Sequence, residues 1–186
     1  MTIPLRRAAF LDRDGVLNRA IVEEGHPRPP SCLSELEVLP DAPAALLALK
    51  AAGFLSLVVT NQPDVARGTQ RRETVEEINS CLSRQLPIDE FLVCYHDDVD
   101  HCDCRKPRPG LLLEAARRHE IELARSYMVG DRWRDIEAGQ NAGCWTVFID
   151  RAYRERQPVR APTATVASLA EAAAWILSHS RLNEVK

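Results

Sequence analysis

Short apolar runs alternate along the chain with longer segments whose apolar residues recur at helical spacing. The runs are RAAFLD, FLSLVVTN, EFLVCYH, SYMVGD and CWTVFID. The helical segments are DAPAALLALKAAG, RRETVEEINSCLSRQL, PGLLLEAARRHEI, RDIEAGQNAG and SLAEAAAWILSHS. This rhythm predicts an α/β fold, a three-layer doubly wound parallel sheet with helices on both faces. FLSLVVT and CWTVFI are apolar without alternation, as strands covered on both sides should be. Gly53 and Gly143 fall where helices should stop.

Two stretches break the rhythm. Residues 18–40, rich in Pro, Glu and Gly (EEGHPRPPS), read as a long flap loop after the first strand. Residues 151–165 read as a Pro-containing surface connection before the last element. The remaining intervals are filled by one helix and one strand apiece, which leaves no room for a separate cap domain. A single domain over 1–186 is the expectation, long enough to bury a real core.

In an open α/β sheet, ligands bind at the carboxyl ends of the strands. Asp12, Thr60, His96 and Asp131 are all expected there, from four separate strands. Asp14 stands two residues after Asp12, and Gly15 permits the turn that swings it toward a ligand. Asp135 follows Asp131 by one helical turn. Strand-end aspartates are often only helix caps. So many in one cleft, however, would repel each other without a cation, and hard carboxylate oxygens suit Mg²⁺. Thr60 and Asn61 offer a hydroxyl and backbone N–H groups, and Lys106 a point charge, for holding a phosphoryl group.

Composition narrows the choices. The net charge of -3 argues against a nucleic-acid binder, which needs a basic face. No apolar window reaches the length of a membrane span, and MTIPLRRAAFLDRDG lacks the apolar core of a secretion signal. A cytoplasmic location follows as an expectation, and there the six cysteines are better read as thiols or metal ligands than as disulfides. Cys94-x-His96 and Cys102-x-Cys104, separated by the five-residue loop DDVDH, form a complete tetrahedral set for Zn²⁺. A full set leaves no open position, so the zinc-binding loop 94–104 is read as structural, with His101 as a competing ligand. Arg105 and Lys106 follow directly, so closing the loop on a metal would fix where they point. Cys32, Cys81 and Cys144 lack such partners.

FLDRDGVLN, VVTNQPDVARG, CDCRKPRPG and MVGDRWRDIEAG resemble, in order, the four motifs of the haloacid dehalogenase-like phosphatases. Within them the chain is similar to the zinc-containing subgroup acting on D-glycero-D-manno-heptose 1,7-bisphosphate or histidinol phosphate. The resemblance implies a Mg²⁺-dependent phosphomonoester hydrolase working through an aspartyl-phosphate. Asp12 would be nucleophile and Mg²⁺ ligand. Asp14 would protonate the leaving oxygen, then deprotonate water, and bind Mg²⁺ through its carbonyl. Asp131 would complete the metal site, with Asp135 in support. Thr60 and Lys106 would hold the phosphoryl group, and Arg13, Asn61, Gln62, Arg105 and Arg132 would contact substrate. The chemistry asks for the same split, since Asp12 must be ionised to attack while Asp14 must begin protonated.

Val65-Ala66-Arg67-Gly68 looks like the heptose enzymes, the short zinc loop more like the histidinol-phosphate ones. The flap from Arg19 to Pro30 departs from the heptose pattern. The expectation is removal of the 7-phosphate of heptose bisphosphate by a monomer, with histidinol phosphate or another small sugar phosphate as the alternative. A nucleic-acid end phosphatase and a non-catalytic zinc module stand behind these.

Overall fold

Eight strands and five helices alternate in a computed structural model that describes residues 5–184. Residues 1–4 and 185–186, the ends of the expected domain and the first part of the N-terminal stretch read for a signal, lie outside the described residues. Six strands form one parallel sheet: β1 (Arg7–Leu11), β4 (Phe54–Asn61), β5 (Glu90–Cys94), β6 (Tyr127–Gly130), β7 (Trp145–Ile149) and β8 (Ala164–Val166). Their spatial order is β5-β4-β1-β6-β7-β8.

Alternation along β1 shows how two faces are filled. Ala9 and Leu11 point to the layer built by α1 (Ala42–Ala51), α2 (Arg72–Gln85) and α5 (Leu169–Glu184), through Leu46, Leu49, Ile78, Leu82 and Ile176. Ala8 and Phe10 point to α3 (Gly110–His119) and α4 (Trp133–Ala142), meeting Leu112 and Ala138. With both faces covered, β4 is buried from Phe54 to Thr60, which is why its sequence shows no polar alternation. Gly143 ends α4 in the left-handed region, at φ 83°, where a side chain would be strained.

The chain leaves β1 for β4 on one side and later returns to β6 on the other. The strand order therefore reverses beside β1, and a crevice opens at the carboxyl ends of β1 and β6.

The structure corrects two readings. The stretch 151–165 is not wholly a connection: Ala164–Val166 forms edge strand β8 on β7, with Thr163 N–H bonded to the Thr146 carbonyl at 2.9 Å. The flap contains an antiparallel hairpin, β2 (Ile21–Glu23) and β3 (His26–Arg28), turned by Glu24 at φ 52° and Gly25 at φ 87°. Two positive φ values in a two-residue loop are the geometry that suits the twist of a hairpin. Its base is closed by Arg19 N–H to Glu37 O at 2.8 Å and Leu39 N–H to Leu17 O at 2.9 Å. Among the described residues these are the only strands or α-helices outside the three layers.

Candidate active site

Asp12 follows β1, Asp131 follows β6, Thr60 is the penultimate residue of β4 and His96 lies just past β5, as their sequence positions imply. Asp12 N–H bonds to the Val129 carbonyl at 2.9 Å, continuing the β1–β6 ladder and bringing Asp12 beside Asp131. A carboxylate oxygen from each of Asp12, Asp131 and Asp135 lies within 4.8 Å of the other two, and all three residues are buried.

Lys106 enters this cluster from the loop before α3. Its Nζ donates to Asp12 Oδ1 at 2.8 Å and to the Val59 carbonyl at 2.7 Å, and pairs with Asp135 Oδ1 at 2.6 Å. Burial opposes the Lys106 charge, but Asp12 and Asp135 outweigh it and hold the ammonium above its ordinary range. Burial pushes the Asp12 carboxyl up to about 6; Lys106 opposes the rise, while Asp135 and Asp14 add to it. Asp131 is raised well above the usual carboxylate range, first by burial and then by Asp12 and Asp135.

Three carboxylates against one ammonium leave an excess of buried negative charge. Neither buried side-chain oxygen of Asp131 has a hydrogen bond of ordinary geometry, although the Tyr153 hydroxyl lies near enough to favour its charged form. Buried carboxylate oxygens so poorly satisfied are rare and call for an occupant, and a hard divalent cation is the occupant carboxylates suit. The turn at Gly15 has the same tightness: with φ +90°, an added Cβ would lie 1.7 Å from Asp131 Oδ2.

The expected site residues separate into two groups. Asp12, Asp14, Thr60, Asn61, Lys106, Arg132 and Asp135 line one cleft, roofed by Pro27, Arg28 and Pro29 of the hairpin. Asn61 also exchanges hydrogen bonds with the Lys106 backbone, its Nδ2 donating to the carbonyl and its Oδ1 accepting from N–H, both at 3.1 Å. Arg132 forms a two-pronged pair with Glu155, Nε to Oε2 at 3.0 Å.

Arg13, Gln62 and Arg105 do not reach that cleft. Arg13 is 0% exposed and its guanidinium is spent on Asp14 and on Asn79 of α2. Side chains alternate along β1 and its extension, so the residue between Asp12 and Asp14 starts out toward the core. Gln62 is buried, with Nε2 donating to Asp14 Oδ2 at 2.9 Å and Thr60 Oγ1 at 3.0 Å. Arg105 turns toward the cysteine loop, donating to Asp98 Oδ1 at 2.8 Å and the His96 carbonyl at 3.3 Å. Sequence reading missed Arg28 and Arg134, which line the cleft, Asn18 and Glu155, which bind its residues, and Asn79, which binds Arg13 behind it. Asn18 had a signal, as the polar residue closing the FLDRDGVLN turn; the others become neighbours only through tertiary contact.

Cys94, His96, Cys102 and Cys104 converge, one ligand atom from each lying within 4.8 Å of the rest. Their edges include Cys94–Cys102 Sγ at 3.7 Å, Cys102–Cys104 at 3.4 Å and His96 Nδ1–Cys104 at 3.2 Å. A tetrahedron with metal–sulfur bonds of about 2.3 Å has edges near 3.8 Å, so the four are close to a ligand cage. Burial and then its neighbours Cys94 and Cys102 raise the Cys104 thiol far above its usual range, so the three sulfurs can all be thiolates only with a cation among them. His101 is outside the group; its backbone is left-handed at φ 49°, and its carbonyl accepts from Arg108. The loop is tied down by Arg67, which grips Asp97 with two bonds of 2.7 Å, and by Asp98, which holds Arg105 and Arg134. Cys32 is exposed, Cys81 half-buried and Cys144 buried, each as a free thiol.

Comparison with known proteins bears on this geometry. A family profile described as HAD-hydrolase-like matches residues 103–172. The D-glycero-beta-D-manno-heptose-1,7-bisphosphate 7-phosphatase of Escherichia coli (strain K12) is 34% identical over 163 residues, covering 81% of this chain and 82% of that protein. The chain belongs to the haloacid dehalogenase-like phosphatases. The D-glycero-alpha-D-manno-heptose-1,7-bisphosphate 7-phosphatase of Mycobacterium bovis is 42% identical over 138 residues, 71% of this chain and 70% of that one. The D,D-heptose 1,7-bisphosphate phosphatase of B. bronchiseptica, solved with magnesium and phosphate, superposes with a TM-score of 0.80 at 30% identity, covering 93% and 99% of the two chains. Membership makes this chain a phosphatase with a parallel α/β sheet. Among the described residues no helix is long and apolar enough to cross a membrane.

Proposed function

We propose that this phosphatase hydrolyses a small phosphomonoester through a phospho-aspartate on Asp12, and that its substrate is the 7-phosphate of D-glycero-D-manno-heptose 1,7-bisphosphate. The observation that carries the reaction type is the meeting of Asp12, Lys106 and the poorly satisfied buried oxygens of Asp131 at the switch point of the sheet. The heptose substrate rests on what the similar proteins are named for.

In this reading Asp12, Asp131 and the Asp14 carbonyl would hold Mg²⁺, with Asp135 in support. Such a cation would supply Lewis-acid chemistry, offsetting the buried negative charge and polarising the phosphoryl oxygens. Asp12 attacks phosphorus, and the Asp14 carboxyl gives its proton to the departing sugar oxygen. Lys106 and Thr60 hold the transferring oxygens in line. Asp14, now a carboxylate, takes a proton from the water that cleaves the acyl phosphate and restores Asp12. Arg132, on the rim of the cleft, meets the distal part of the substrate. Cys94, His96, Cys102 and Cys104 would hold Zn²⁺, which would fix the loop that aims Lys106. A single domain acting as a cytoplasmic monomer on a soluble metabolite, without nucleic acid or membrane partner, completes the proposal.

The test is direct competition. Purified protein with Mg²⁺ and Zn²⁺ is offered heptose 1,7-bisphosphate, histidinol phosphate and a 3′-phosphorylated oligonucleotide, and phosphate release is measured. The expected order puts heptose bisphosphate first, with turnover abolished by Asp12→Asn and by omitting Mg²⁺. A preference for histidinol phosphate would overturn the substrate while leaving the mechanism, and an active Asp12→Asn would overturn the mechanism.

A further inference from the structure

We propose that Arg13 is a positioning residue that aims the Asp14 carboxylate at the cleft; this rests on the acid–base role given to Asp14 above. Among the described residues Arg13 heads the fully buried large side chains. Its guanidinium is a planar fork, and the fork is filled on two edges. Nε lies 3.2 Å from both Asp14 oxygens and Nη2 lies 3.0 Å from Oδ2, while Nη1 donates to Asn79 Oδ1 at 2.9 Å. A planar fork bonded in two places has no freedom left to rotate, so the carboxylate it grips takes its orientation from the fork.

The partner on the far edge argues for this purpose. Asn79 sits on the buried face of α2 between apolar Val75, Ile78 and Leu82, where packing alone asks for another apolar residue. Its side-chain oxygen is used on Arg13. An aspartate there would make a stronger ion pair, but it would compete for the guanidinium charge. The neutral amide anchors Arg13 to a rigid helix and leaves Asp14 as the carboxylate paired with it among the described residues. Two further donors fix Asp14 from other directions: Asn18 Nδ2 to Oδ1 at 3.0 Å and Gln62 Nε2 to Oδ2 at 2.9 Å. Gln62 also bonds Thr60, so the acid–base group and a phosphoryl-holding group share one frame. Asp14 remains 13% exposed on its side chain and lines the cleft, so the frame holds it without burying it.

A group that only supports the fold and a group that aims an acid respond differently to the leaving group. Para-nitrophenolate departs without a proton, whereas a sugar alkoxide needs one, so kcat/KM on the two substrates separates the roles. The variants are Arg13→Lys, which keeps the charge and loses the fork, and Asn79→Ala, which touches Arg13 and not Asp14 and spares folding should Arg13→Lys not. Both are expected to lower kcat/KM for heptose bisphosphate by about tenfold or more, through kcat at unchanged KM, and for para-nitrophenyl phosphate by less than about threefold. Asp14→Asn should show the full general-acid loss of about 10²–10⁴-fold on heptose bisphosphate. Adding Asn79→Ala to Asp14→Asn should then cost nothing more. Equal losses on both substrates, a loss confined to KM, an additive double variant, or a folded Asn79→Ala with full activity would each overturn the inference. Should the wild type fail to release phosphate, or Asp14→Asn lack the leaving-group pattern, the proposed function falls and takes this inference with it. An intact Asp14 pattern with unselective Arg13 and Asn79 variants sinks the positioning role alone.

Discussion

Replacing Lys106 by Met should destabilise the protein in a way that depends on pH. Lys106 is 2% exposed, and its Nζ lies 2.8 Å from Asp12 and 2.6 Å from Asp135. Methionine fills most of the same volume, so packing is largely kept. What is lost is the ammonium that stands against three buried carboxylates. Removing one partner of a buried ion pair costs about 3–5 kcal/mol, because the other charge stays buried. Asp12 can escape that cost by taking a proton. Burial already pushes its carboxyl up to about 6 with Lys106 present, and Lys106 is the chief influence pulling it down. Without Lys106 the carboxyl moves higher still.

At pH 5 the variant therefore holds Asp12 neutral, and the remaining loss is that of a hydrogen bond or two, about 1 kcal/mol each. At pH 8 either that proton is held at a growing cost or the carboxylate stays charged and unpaired, so the loss rises toward about 3–5 kcal/mol. A chain of this size shifts its melting temperature by about 2–4 °C per kcal/mol. Calorimetric melts with Zn²⁺ retained and Mg²⁺ omitted should thus show a drop of roughly 6–20 °C at pH 8 and only a few degrees at pH 5. Phosphate release should fall by about 10²-fold or more with Mg²⁺ restored, as when a preorganised charge donor is removed. A melting drop independent of pH, or a variant more stable than the wild type at pH 8, would refute the account of Lys106 as the counter-charge of the cluster.

Four further outcomes follow from the geometry of the two clusters. A carboxyl raised in the folded state contributes stability below its unfolded value near 3.8 and loses it as pH rises through about 6, so the Mg²⁺-free protein should melt lower at pH 7.5 than at pH 5 from this source. Mg²⁺ binds only where those protons have left, so its melting shift should be larger at pH 7.5, which parallel titrations can check. Gly15→Ala places a Cβ 1.7 Å from Asp131 Oδ2 in a backbone at φ +90°. Strain of about 1–3 kcal/mol and loss of Mg²⁺ binding by calorimetric titration are expected together. Cys102→Ser opens the cysteine–histidine cage, so bound zinc by metal analysis, melting temperature and phosphatase activity should all fall; full activity after verified metal loss would remove the zinc loop from catalysis.

The layered fold and the strand-end acids were legible because both depend on local pattern. Burial on two faces writes itself as unbroken apolar strands, and the end of a strand is where a nucleophile has to be if the sheet is to present it. The Cys-x-His and Cys-x-Cys pairs were legible for a similar reason, since ligands close in sequence need only one turn of loop to meet. Edge strand β8 was hidden because three residues, ATV, with a half-exposed pattern carry no periodicity and follow a Pro-containing stretch. The hairpin in the flap left one trace, Glu24-Gly25 between Ile-Val-Glu and His-Pro-Arg, but prolines at 27, 29 and 30 masked it as loop.

The misplaced residues share a physical cause. Arg13, Gln62 and Arg105 are long polar side chains adjacent to site residues, and adjacency in sequence says where a backbone goes, not where a flexible side chain finds its partner. A cation beside a phosphoryl site has two ways of being useful: it can touch the substrate's charge, or it can fix the charge of a group that does. Depth decides between them. Arg132 and Arg134 lie at the rim and can meet an anion that arrives, whereas Arg13, with no exposed surface, can meet only what the fold has already placed beside it. Burying a guanidinium costs several kcal/mol unless every edge is satisfied, so such a residue is held in place by carboxylate and amide partners together. That same satisfaction gives the Asp14 carboxylate a fixed direction, and the proton transfer proposed for it would gain from a donor frame that cannot turn.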